Sequence, residues 1–477
     1  MKRHLTVIFV CLAGVLAYGQ HPWRLSAVNP LEGPYSSETV ANGVLGLRSA
    51  RMPLVNDAVI LAGTYDVHPT NRIDTYFDNI RFMDLDMTVD GKQVTAADLS
   101  DYTQTLDMRH ACLTSQFTVM GRARVEMRQY ALQQLPYSAL TDIVIHPLRD
   151  AVVTVANRPY VPENLSDARY SYNRMVKKRG TVYLLTTEAR GRKEGLRMAA
   201  ATSFVFDGNA GAKAPEVSYD STAHSAVVRL PLKKGADCRF ALAGSLMSSQ
   251  QSPNPRNEAD RLTILATLSG SRTLIDGHNA AWDRLWQGDI VIEGDAQAQR
   301  DVHAMLYHLY SNVRAGSAQS IPPMGVTGTG YYGHVFWDAE IWMMPALLLL
   351  HPEMARSMID YRIDRLDQAR KNAFSRGYRG AMYPWESAAA GMEDTPTWAL
   401  TGVFEHHITG CVALAAWQYY CVTDDIDWLR ERAYPMIADT ADFWVSRTVT
   451  DADGSRHIRG VCCADEYASS VAFLHFH

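Results

Sequence analysis

Beyond its first nineteen residues the chain has no apolar run long enough to cross a membrane. It has no CxxC pair, no HExxH and no acidic calcium loop, so the usual redox and metal signatures are missing and neither a metal site nor a cofactor is expected. Cysteine is scarce, seven in 477 residues, and the six after the N-terminal run show no disulfide framework in their spacing. Cys462 and Cys463 are adjacent and cannot bridge each other without strain. An excess of charge is missing too: the formal net charge is −5 with no basic patch, which argues against nucleic acid as a partner. The oligomeric state is left open.

What is present begins with the N-terminus. Lys2, Arg3 and His4 precede an apolar run over 5–17, broken only by Thr6 and Gly14, and small residues follow at Ala17 and Gly19. This is the layout of a secretory signal peptide over 1–19 with cleavage before Gln20. Cys11 lacks the small residues before it that a lipoprotein signal needs. The chain is therefore expected to be exported, to the periplasm or the extracellular space, and not to reside in a membrane. Its length leaves room for two or three domains. Ten Trp and twenty-three Tyr supply much aromatic surface. Such rings serve equally as stacking platforms for sugars or as a large core.

From 20 to 275 the pattern is period-two alternation, as in 117–130, 181–187 and 225–232, with turns such as Asp90-Gly91 and Asp207-Gly208-Asn209 between. Short alternating strands at close spacing predict an antiparallel β-sandwich. Near 276 the texture changes. Trp282 and Trp286 stand four apart on one helical face, which predicts a linker helix over 276–296. From 297 to 477 helical periodicity dominates, with stripes such as Ala304, Leu306, Leu309 and Val313, or Ala433, Ile437, Ala441 and Trp444. Pro435 is placed to kink the last of these. Residues 341–350 and 402–420 are apolar on nearly every face, which predicts burial. Alternating buried and amphipathic helices fit an (α/α)6 barrel, although other all-helical packings share the pattern. About five barrel helices are counted where six hairpins need about twelve, so the barrel is expected to be truncated.

Three clusters carry candidate chemistry. In 330–345 a Gly-rich loop leads to Trp337-Asp338 at the head of an apolar helix, where a carboxylate is stabilised by free amides and the dipole. That Asp338 is only a helix cap stays open. In 380–396 a Gly- and Pro-punctuated loop carries Tyr383, Trp385, Glu386 and Met392, more aromatic surface than a plain surface loop needs. In 405–410 the polar Glu405, His406 and His407 stand in an apolar stretch and need partners or a cavity. Glycosidic cleavage uses two carboxyl groups beside aromatic rings, and these clusters have that composition.

The segments His-Val-Phe-Trp-Asp-Ala-Glu at 334–340, Tyr-Pro-Trp-Glu at 383–386, Glu-His-His-Ile-Thr-Gly at 405–410 and Ala-Asp-Glu-Tyr at 464–467 resemble, in order, the motifs of glycoside hydrolase family 65. The family holds maltose, trehalose and kojibiose phosphorylases, acid trehalases, kojibiose hydrolases and the glucosidase of glucosyl-galactosyl-hydroxylysine. The resemblance implies that Glu466 is the general acid, that Trp337 and Asp338 hold the non-reducing glucose, and that Trp385, Glu386 and His407 bind substrate. It implies an exported, inverting α-glucosidase acting on kojibiose, another α-1,2-glucoside or trehalose. A disaccharide phosphorylase and an inactive sugar-binding fragment are the alternatives. The family pattern after Asp-Glu-Tyr is not continued in 468–477, and the general base is expected beyond residue 477. The apolar run 460–464 before Glu466 predicts a desolvated acid with a raised pKa.

Overall fold

The computed structural model describes residues 21–207 and 215–466. The signal-peptide expectation, Tyr467 and the segment 468–477 lie outside the described residues.

Alternation becomes strand wherever one side chain in two can reach a core. In Ala151–Asn157 every second residue is buried, and Ala123–Ala131 nearly repeats this. The strands form a nine-stranded sheet, in the order Arg24–Val28, Leu99–Asp107, Cys112–Val119, Ala123–Ala131, Ser138–Pro147, Cys238–Ser248, Arg197–Val205, Gly180–Arg190, Ser166–Lys177. A five-stranded sheet runs Val217–Asp220, Ser225–Leu232, Ala151–Asn157, Leu85–Val89, Lys92–Gln93, and a three-stranded sheet joins Thr39–Ala41, Leu45–Ser49 and Asn56–Leu61. Every strand pairing in these sheets is antiparallel. Val153, Val155, Met87 and Leu230 of the smaller sheet share one core with Phe117, Val125, Ile143 and Leu242 of the larger. This is a sandwich. The predicted turn at Asp90-Gly91 closes the two-residue hairpin between Val89 and Lys92, both turn residues having positive φ, as such hairpins require.

The helices begin earlier than the sequence pattern indicates. Helix α1 (Pro255–Ser269) lies on the outer face of the large sheet, Thr263 donating to the Ala201 carbonyl. Asn254 caps it and Pro255 opens it, two start signals that period-two alternation upstream had obscured. Gly270, at φ 82°, separates α1 from α2 (Ser271–Leu285). The connection is thus two helices ending at Leu285, rather than one helix over 276–296. Trp282 is fully buried and stacks on Tyr307 of α3 (Ala296–Asn312), centroids 5.6 Å apart.

The later helices are α4 (Met344–Leu350), α5 (Pro352–Ile363), α6 (Leu366–Ser375), α7 (Ile408–Thr423) and α8 (Tyr434–Arg447). Pro345 and Pro435 each sit in the first turn of α4 and α8, immediately after a π-helical turn, Ala339–Met343 and Leu429–Ala433. A proline cannot donate to the carbonyl four residues back and clashes with it. The wider π turn accommodates that missing bond, so Pro435 starts a helix instead of kinking one. The expected burial of 341–350 and 402–420 is not found on all faces: Trp342 and Leu349 are 67% and 74% exposed, and Leu414 and Trp417 about half. α7 packs against α5 and α8 on one side, and only that side carries the buried Val412, Ala416 and Tyr419. Residues 405–407 are not inside this helix; they lie between the single turn Thr401–Phe404 and α7.

Candidate active-site cleft

The loop 330–335 is held by the β-sandwich. Tyr331 and Tyr332 both have left-handed backbone, φ 53° and 56°, which costs on the order of 1–3 kcal/mol each for a residue with a Cβ. Gly333 follows at φ 71°, and a Cβ there would meet the Tyr76 ring at 2.2 Å. Only glycine allows this approach. The Tyr76 amide donates to the Tyr332 carbonyl at 2.7 Å and the Tyr65 hydroxyl to that of Gly333 at 2.8 Å. The strain is thereby offset by contacts from the neighbouring domain.

Two of the three sequence clusters are tied together directly. Val335 and Ser387 exchange backbone hydrogen bonds as an isolated antiparallel bridge. This brings the 330–338 loop beside 383–387, and Nδ1 of the fully buried His334 lies 2.7 Å from Oε2 of Glu386. The carboxylate of Glu393 then fixes the loop from behind, accepting from the amides of Trp385 (2.9 Å) and Glu386 (3.3 Å) and from the Thr395 hydroxyl (2.6 Å). Beneath the first loop, Arg362 makes a bidentate pair with Glu340, 2.7 and 3.0 Å, both side chains buried. None of His334, Glu340, Arg362 or Glu393 had been singled out from sequence as a site residue. A buried acid or base needs a partner, but which partner is a matter of tertiary contact.

The third cluster lies next to the segment that carries Glu466. The Cys462 amide donates to the Phe404 carbonyl at 3.0 Å, while Arg447 reaches the Arg459 carbonyl (2.7 Å) and His406 Nδ1 (3.2 Å). Glu405 is buried, and Oε1 stands 3.3 Å from Nδ1 of His407 without the alignment of a hydrogen bond; among the described residues neither oxygen of Glu405 nor either ring nitrogen of His407 has a hydrogen-bond partner. Burial, followed by the charge of nearby Glu466, pushes the Glu405 carboxyl up to about 8. Burial also pushes His407 down. At neutral pH both groups are held uncharged.

A cleft of about 770 Å³ is lined by Tyr331, Tyr332, Phe336, Trp385, Glu386, Trp398 and, from the other side, Cys462, Asp465 and Glu466. Trp385, Glu386 and Glu466 therefore share one opening. Trp337 and His407 form an aromatic cluster against it: Trp337 meets His407 edge-on at 4.8 Å, and Trp385 is 5.6 Å from the same ring. Asp338, half-buried, precedes the π turn with no capping hydrogen bond, so the cap reading finds no support; it is not among the residues lining the cleft. Glu466 is exposed at the cleft edge, not buried as the apolar run before it suggested, and the desolvated carboxyl is its neighbour Glu405. The apolar side chains of Val461 and Cys462 turn inward and leave the acid outside. Among the described residues no group of three or more His, Cys, Asp or Glu is arranged to hold a metal ion. Among the described residues no two cysteines form a disulfide.

A carboxylate anchored by a histidine, a second carboxyl across the cleft and aromatic faces between them suit a neutral, hydroxyl-rich ring. Comparison with known proteins agrees. Residues 36–285 match the N-terminal domain of glycosyl hydrolase family 65, and residues 303–474 match the central catalytic domain of that family. The chain is 42% identical over 478 residues to a kojibiose hydrolase of Flavobacterium johnsoniae, covering 99% of this chain and 70% of that protein. It is 41% identical over 473 residues to a kojibiose hydrolase of Mucilaginibacter mallensis, with 98% and 70% covered. A solved structure of a human-microbiome protein provisionally assigned as a kojibiose phosphorylase superposes with a TM-score of 0.79 at 16% identity, over 94% of this chain and 62% of that one. At that identity the likeness speaks for the fold alone.

Proposed function

The chain belongs to glycoside hydrolase family 65, and from that premise we propose that it is an α-glucosidase removing the non-reducing glucose from kojibiose or a related α-1,2-glucoside. The observation that carries the reading is the shared cleft, in which Trp385, Glu386 and Glu466 face one opening. In this scheme Glu466 acts as general acid and gives its proton to the departing glycosidic oxygen. Water attacks the anomeric carbon from the opposite face, its proton passing to a second carboxylate, and the product is inverted. No residue of this chain is assigned to that second carboxylate. Glu386 accepts hydrogen bonds from sugar hydroxyls, and Trp385, with Trp337 and His407 behind it, offers the apolar face of the pocket. Asp338 is assigned to the glucose hydroxyls on the resemblance of its Trp-Asp pair.

Hydrolysis is favoured over phosphorolysis on two grounds. Kojibiose hydrolases match almost the whole chain, and the N-terminal pattern over 1–19 reads as an export signal. An exported phosphorylase would lose its sugar phosphate to the medium. The full-length protein should release free glucose from kojibiose at the same rate with and without inorganic phosphate. Phosphate-dependent formation of glucose 1-phosphate would replace this reading with the phosphorylase one. Export is checked by N-terminal sequencing of protein recovered outside the cytoplasm, which should begin at Gln20.

A further inference from the structure

Glu386 is not free to turn. Its Oε2 faces His334 Nδ1 at 2.7 Å, and the other ring nitrogen of His334 donates to the Asp74 carbonyl at 2.6 Å. A carbonyl oxygen can only accept, so Nε2 carries a proton, and the state of Nδ1 is set by Glu386. Burial alone would push the imidazole down; the bonds to Glu386 and Asp74 outweigh it and hold His334 above the ordinary histidine range. This shift favours the doubly protonated imidazole, in which Nδ1–H donates to Oε2 of Glu386.

The charged groups around this imidazole come from two domains. From the cleft loop it faces Glu386 and Asp394, whose carboxyl burial pushes up to about 6 although His334 draws it back. From the β-domain, Asp74 lies on the other side, paired with Lys193 at 2.6 Å. The strand carrying Asp74 pairs with Asp66–Val67, and the Asp66 carboxylate accepts from the amides of Arg192 and Lys193. A chain of contacts thus runs from Lys193 to the Asp74 side chain and from the Asp74 backbone carbonyl through His334 to Glu386 in the cleft. An unanchored carboxylate would have to be ordered when a ligand arrives, at a cost in affinity. This one is ordered beforehand through Oε2.

We propose that His334 is a positioning residue for the substrate cleft, fixing the Glu386 carboxylate toward a sugar hydroxyl and anchoring it to the N-terminal β-domain through Asp74. This rests on the α-glucoside reading of the cleft. The test uses the full-length protein with kojibiose as substrate and glucose as ligand, the latter titrated by tryptophan fluorescence. His334→Gln should raise KM for kojibiose and weaken glucose binding roughly tenfold, with a smaller change in kcat, and Glu386→Gln should do likewise. Because His334 acts through Glu386, the double variant should be no worse than Glu386→Gln alone. Wild-type affinity should decline as pH rises above the ordinary histidine range, and His334→Gln should lack that decline.

Losses that multiply in the double variant, or a His334→Gln enzyme with wild-type KM, would overturn the proposal while leaving the glucosidase reading intact. If His334→Gln fails to fold by thermal melting, imidazole NMR titration of Glu386→Gln decides. There the His334 pKa must fall, and an unchanged value would overturn the proposal. A wild-type protein that binds neither kojibiose nor glucose would instead remove the reading on which it rests.

Discussion

The two walls of the cleft are built on opposite principles. The wall made by 330–340 and 383–395 has its acids Glu386, Glu393 and Glu340 each held by a named partner. The wall made by 398–407 and 462–466 is less committed. Glu405 and His407 face each other with polar atoms unpartnered among the described residues, and Trp398, Leu400 and Val403 are more than half exposed. The first wall leans on the β-sandwich, whereas the second packs against Thr395 and is tied to Arg376 through the Val403 and Gly402 carbonyls. The proposed binding groups thus sit where geometry is over-determined, while the proposed acid sits where the surroundings still tolerate a change of charge.

The largest effect is expected at the proposed acid. Glu466→Gln should leave substrate affinity near wild type and lower kcat by roughly two to four orders of magnitude, the range for losing a general acid. With α-glucosyl fluoride, whose leaving group needs little proton assistance, the penalty should be far smaller. Equal losses on both substrates in steady-state kinetics would take Glu466 out of the acid role.

A smaller effect should come from the rigid wall. Gly333→Ala places a Cβ in the Tyr76 ring at a φ that disfavours it. About 1–3 kcal/mol of stability should be lost, read from chemical denaturation, together with a raised KM as the Tyr331–Tyr332 loop lifts from Tyr76. If KM stays constant while stability falls, the loop is only a domain contact.

The smallest effect is expected at the other wall. Glu405 has a folded pKa of about 8 against an ordinary 4.5. Between those values the folded state binds more protons than the unfolded one, so stability falls as pH rises through this window. Glu405→Gln should remove that part of the decline, so that the variant gains on the wild type in melting temperature between pH 5 and pH 8. Parallel curves for the two proteins would mean that Glu405 is ionised in the fold.

Much of this was legible beforehand. Period-two alternation gave the sandwich, and the Asp90-Gly91 hairpin followed from local turn chemistry alone. The four ordered motifs gave the family, and Trp385, Glu386 and Glu466 do share a cleft. Boundaries fared worse. Asn254-Pro255 and Gly270 are plain helix punctuation, yet they lay within a stretch whose upstream alternation dominated the reading. Apolar character was also over-read, since a helix packed on one side buries only that side, whatever its other faces carry, as Trp417 and Leu414 demonstrate.

By itself the sequence determined the strand-rich first half, the helical second half and the residue types at the cleft, because backbone propensity, turn residues and short motifs act over a few positions. Only the tertiary structure decided which acid is buried and which is exposed, and that His334, not a neighbour in sequence, holds Glu386. Desolvation and ion pairing depend on what lies within a few ångströms in space, and in this cleft those neighbours come from positions as far apart as Asp74, His334 and Glu386.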